Sequence, residues 1–121
     1  MKVKIKTASI EIEAELLDNP TAKEIYDILP IASTANSWGD EIYFEIPLHL
    51  ELDDSAKELV NKGDLGFWPS GNCFCIFFGL TPASKGREIR PASAVNVFGK
   101  VKGGLEKLNH IRSGEKIMVE R

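Results

Sequence analysis

Long apolar runs are missing from this chain: even Cys73 to Leu80 is only strand length, against the roughly 20 residues a membrane helix needs. No membrane-spanning helix is therefore expected. Basic clusters are missing as well. Fifteen Lys and Arg against eighteen Asp and Glu leave a net charge of -3, with no cationic stripe to follow a phosphate backbone, so nucleic acid is not an expected partner. Residues 1–7 alternate lysine with valine and isoleucine and lack the apolar stretch and small-residue cleavage site of a secretory signal. A cytoplasmic location follows as an expectation. Histidine and cysteine are scarce, two of each. Cys73 and Cys75 share one strand face, and their Cα atoms lie about 6.6 Å apart, near the upper limit for a disulfide. A bridge between them would be strained. Neither His49 nor His110 has a spacing that brings it to the cysteines, so no metal and no cofactor is expected. No Gly-rich phosphate loop is present: Gly99-Lys100 lacks the upstream glycine.

What the chain has is strand. A length of 121 residues with 43% hydrophobic content predicts a single domain, 1–121, able to bury a core without metal or disulfide. Val3 and Ile5 alternate with lysines, and Ile10, Ile12, Ala14 and Leu16 with Glu11, Glu13 and Glu15. These are two half-buried strands whose outer faces carry opposite charge and match across a hairpin. Asn19 or Asp18 can cap, and Pro20 suits the first turn of, a helix through Ile25 to Leu29. A polar strand over 31–37, a Trp38-Gly39-Asp40 turn and a strand around Ile42, Phe44 and Ile46 follow. One or two helical turns are expected over 54–62, closed by Gly63. Cys73 to Phe78 reads as the most buried strand. The stretch 81–94 reads as a long loop, 95–101 as a strand, 105–111 as a short helix and 117–119 as a closing strand.

The aromatic residues are the main clue to a site. Phe74, Ile76 and Phe78 face one way, so Cys73, Cys75 and Phe77 face the other. With Trp68 beside them they could line a groove, or could be covered by the 81–94 loop as a second packed layer. Glu41 draws notice because Trp38 and Tyr43 lie near it in the hairpin, but it reads foremost as a solvated strand carboxylate.

Several segments resemble the cyclophilins. Val97-Phe98-Gly99-Lys100-Val101 through Leu105 resembles the late strand-and-helix entry of that family, and Phe74-Cys75-Ile76 resembles its core strand. The whole chain is more similar to the short prokaryotic cyclophilin-like proteins of unassigned function. That similarity is carried by Trp38-Gly39-Asp40-Glu41-Ile42-Tyr43-Phe44, Gly63-Asp64-Leu65-Gly66-Phe67-Trp68-Pro69, Phe78-Gly79-Leu80-Thr81-Pro82 and Asn96-Val97-Phe98-Gly99-Lys100. The resemblance implies a mainly β fold, a closed eight-stranded barrel with two or three short helices.

The family's prolyl isomerase chemistry does not carry over residue by residue. Residues 31–46 contain no arginine, histidine or glutamine, where the family keeps its catalytic arginine. By the same resemblance Arg90 falls where the proline-pocket tryptophan would be, Val95 replaces its histidine, and Cys75 replaces a pocket phenylalanine. The expectation is a protein that binds a peptide or small-molecule ligand in a surface groove near Trp68, Pro69, Ser70, Cys75, Phe77 and Arg90, without efficient isomerase activity. The alternatives are an isomerase with a non-classical site built on Arg90, and a small-molecule enzyme or enzyme subunit. Oligomeric state is not legible.

Overall fold

The computed structural model describes residues 1–121. Its strands are β1 (Lys2–Lys6), β2 (Glu11–Leu16), β3 (Ile31–Thr34), β4 (Asn36–Ser37), β5 (Glu41–Glu45), β6 (Ala56–Lys57), β7 (Asp64–Trp68), β8 (Cys73–Phe77), β9 (Val95–Val101) and β10 (Lys116–Glu120). One α-helix, α1 (Pro20–Asp27), and a 3-10 helix over Leu105–His110 complete it. No helix is long and apolar enough to cross a membrane.

All strand pairings are antiparallel, and they follow the path β3-β10-β1-β2-β9-β7-β8-β5-β4. The two ends of that path are consecutive pieces of one segment. Its first half bonds to β10 and its second half to β5, so the sheet curls into a nearly closed barrel that is eight-stranded when β3 and β4 are counted as one. The switch of partner falls at Ala35, fully buried, whose N–H donates to the Glu115 carbonyl at 2.8 Å. Small β6 lies outside the circuit, paired to β9.

Alternation decides which side chains point inward. The register places Lys2 opposite Glu15, Lys4 opposite Glu13 and Lys6 opposite Glu11, the charge match the sequence predicts. Lys6 bridges Glu120 at 2.6 Å and Glu11 at 3.7 Å. Inside, Phe74 stacks on Phe44 with centroids 4.8 Å apart and meets the edge of Phe98 at 5.0 Å, the offset and T-shaped geometries that aromatic quadrupoles favour. Helix α1 is capped by Asn19, whose side chain accepts from the Ala22 N–H at 2.9 Å. It packs Ala22 and Ile25 into the main core.

The helical turns expected over 54–62 are not formed. Asn96, wholly buried, overrides local propensity there. Its side-chain oxygen accepts from the Asp53 N–H at 2.9 Å, and its amide donates to the Glu51 carbonyl at 2.9 Å and to Thr21 Oγ1 at 3.1 Å. Held extended in this way, Ala56 and Lys57 pair with β9.

Candidate functional site

Strand β8 is buried on both faces. Phe74 and Ile76 enter the main core, whereas Cys73, Cys75 and Phe77 join Val60 and Val95 in a second, smaller cluster. That division is the one alternation predicts. The second layer comes close to β7 because Gly66 has no side chain: a Cβ there would stand 2.7 Å from Val95 and 3.3 Å from the Phe77 ring. The β7–β9 ladder also shifts register between Leu65 and Gly66, the local kink that lets an extra residue re-aim its neighbours.

Above this layer lies a cavity of about 270 Å³ lined by Trp38, Glu41, Tyr43, Trp68, Cys75, Pro91, Ala92 and Val95. Neighbouring strands supply most of the wall. Glu41 and Tyr43 stand two apart on β5, opposite Phe77 and Cys75 of β8. Trp38 is held against the start of β5 by its N–H donating to the Glu41 carbonyl at 2.9 Å. Trp68 ends β7, and its indole N–H donates to Ser93 Oγ at 2.6 Å, tying the 81–94 loop over the opening. Beneath the indole, Gly71 leaves room that a Cβ would fill at 2.6 Å from the ring.

Of the residues expected at a groove, Trp68 and Cys75 line this cavity, while Pro69, Ser70, Phe77 and Arg90 do not. Pro69 is half-buried and Ser70 exposed on the β7–β8 turn, and Phe77 is fully buried. Arg90 is directed to Glu88, with Nε 2.6 Å from the carboxylate. The loop that carries it is pinned by its own hydroxyls: Thr81 Oγ1 donates to the Arg90 carbonyl, and the Arg90 N–H donates to Ser84 Oγ at 3.2 Å.

Glu41 is the residue sequence reasoning undervalued. Only 5% of it is exposed, so it is a cavity carboxylate and not a solvated one. Its Oε1 is buried with no hydrogen-bonding partner. Burial raises its pKa from the ordinary carboxylate range to about 7, an effect the neighbouring Cys75 thiol opposes only in part. In the structure Glu41 sits directly across from Phe77 in the most apolar strand of the chain, a pairing that no local sequence pattern announces. Both cysteines are free thiols. Burial, then the nearby Glu45 and Glu41 carboxylates, pushes Cys73 up to about 11. Burial followed by Glu41 also drives Cys75 well above its ordinary value. Neither is a thiolate nucleophile at neutral pH. A carboxyl that titrates near neutrality inside an aromatic-walled cavity can bind a hydrogen-bond donor or exchange a proton with a bound molecule.

A family model described as cyclophilin-like matches residues 1–120. The solution structure of a hypothetical protein from Archaeoglobus fulgidus is similar to this chain at 44% identity and a TM-score of 0.85, over 100% of this chain and 94% of that one. No curated protein matches.

Proposed function

This chain belongs to the cyclophilin-like family, and from that premise we propose that it is a small-ligand-binding member that uses the cavity on the outside of the barrel and has no efficient prolyl isomerase activity. The observation that carries this reading is the convergence of Trp38, Tyr43 and Trp68 around one buried carboxylate. A concave apolar site with a single orienting polar group is the usual form of a small-molecule pocket, and about 270 Å³ lies just below the range of drug-sized sites. An extended peptide fits less well, because the loop tied down by Trp68 and Ser93 covers part of the groove.

Isomerisation calls for a donor that stabilises the twisted amide more than the planar one. The segment 31–46 offers no guanidinium, and that of Arg90 is paired with Glu88. Purified protein should therefore convert a prolyl test peptide at the uncatalysed rate. A rate that persists through further purification and disappears in Arg90→Ala would overturn that expectation.

Tryptophan emission tests the binding reading directly, since both tryptophans line the cavity. Titration with a panel of small organic compounds should yield saturable changes for some members, and Trp38→Phe and Trp68→Phe should each reduce the signal. A panel that leaves the emission of the unaltered chain constant throughout would count against the pocket.

A further inference from the structure

We propose that the ligand of this cavity is a small organic cation carrying at least one N–H, an alkylammonium or amidinium, whose charged end docks on Glu41 while its hydrocarbon part lies against Trp38, Tyr43 and Trp68. The inference rests on the binding reading above and deepens it to a chemical class.

Three observations converge. Glu41 Oε1 is buried and receives no hydrogen bond from the protein, and an acceptor left bare in an apolar wall is costly until a donor reaches it. The chain supplies no countercharge either. No lysine, arginine or histidine lines the cavity, Glu41 takes part in none of the ion pairs, and Arg90 is committed to Glu88. The groups that face Glu41 are the Tyr43 phenol on its own strand and the Cys75 thiol on β8. Cys73 lies one strand position pair beyond, and the loop and β9 contribute only Pro91, Ala92 and Val95. Asp40, next in sequence, turns away over Gly79. A buried carboxylate without a cation of its own is satisfied by one brought in from outside. The third observation is the wall itself: the faces of two indoles and a phenol attract cations, whereas an anion would meet Glu41 directly.

The test uses three probes of one shape: benzylamine, benzyl alcohol, and benzyltrimethylammonium, which keeps the charge but has no N–H. Benzylamine should bind to the unaltered chain, benzyl alcohol at least about tenfold more weakly, and the quaternary ion in between, because truncating one partner of a buried charge pair costs a large factor in affinity. Glu41 is half protonated near pH 7, and the amine stays charged from pH 5 to 8. Benzylamine affinity should therefore rise with pH over that range, on the order of a hundredfold. Calorimetry at pH 6 in two buffers of different ionisation enthalpy should register close to one proton released per amine bound. In Glu41→Gln the affinity should fall at least about tenfold and the pH dependence should vanish.

Equal affinity for benzylamine and benzyl alcohol overturns the proposal on the unaltered chain, whatever the variant does. So does a flat pH profile, or unchanged benzylamine binding in Glu41→Gln. If neutral compounds alter tryptophan emission and none of the cations does, the cation assignment falls while the pocket stands. If nothing binds, both fall.

Discussion

Glu41 places a cost on the fold that a single substitution exposes. Its carboxyl titrates near 7 in the folded state against an ordinary 4.5, so the folded chain holds the proton more tightly than the unfolded one. Below about pH 4.5 both states are protonated and nothing is lost; as pH rises through 7, stability falls and then levels off. The shift corresponds to at most about 3 kcal/mol. Glu41→Gln should therefore be more stable than the parent at pH 8, equal to it at pH 4, and free of the slope between. Superimposable pH profiles from denaturant titrations would contradict the burial of this acid. Phe74 is the opposite case, a ring in contact with Phe44 and Phe98 at the barrel's centre. Phe74→Ala should cost roughly 3 to 5 kcal/mol, read as a lowered urea midpoint at constant slope. The cysteines are buried and proton-loaded, with Cys73 shifted up to about 11. Alkylation at pH 7 should be more than about a hundredfold slower in native protein than in denaturant, since only the thiolate reacts. Cys73, 6% exposed, should lead Cys75 at 1%; native rates equal to denatured ones would show that the loop does not cover them. These faces were legible from a period of two. The burial of Glu41 was not, because alternation says which side of a strand a residue takes and nothing about whether a distant loop covers that side.

Elements whose signals are local were legible as well: the helix start at Pro20, where the structure chooses Asn19 over Asp18 as the cap, the opposed charges of β1 and β2, the paired apolar face of β8. The segment before Gly63 was misread as helical because its conformation is imposed by Asn96, more than 30 residues downstream in sequence. That side chain satisfies Asp53, Glu51 and Thr21 at once. Asn96→Ala would leave the part-buried Asp53 N–H and the Glu51 carbonyl without this partner and open a hole at a fully buried position, at a cost of about 1 to 3 kcal/mol. Hydrogen exchange should show the loss concentrated in residues 51–57. Asn109→Ala, which removes one exposed contact to the Glu106 carbonyl, should change stability by less than about 0.5 kcal/mol. Similar effects from the two substitutions would mean that the extended conformation of 51–57 is set by something other than Asn96.

At the scale of the whole molecule, the closed barrel was read from the resemblance to cyclophilin-like proteins and not from composition or spacing. The reason is physical: closure depends on which distant strands meet, and β1 pairing β10 is a contact across nearly the full chain that no local pattern encodes. That pairing has a temporal side. Synthesis runs from the N-terminus, and β10, which bonds to both β1 and β3, emerges after every other strand of the barrel. Until it arrives, β1 and β3 each present a bare row of N–H and C=O groups, the kind of edge to which other chains add. Ribosome-stalled chains ending before residue 115 should accordingly be cut by protease throughout, while chains long enough to free residue 121 become resistant in one step. Gradual protection that grows with chain length would point to stable partial sheets. The nascent barrel is thus most exposed to misassociation just before residues 116–120 emerge, and a holdase acting at the tunnel exit has the most to protect at that moment.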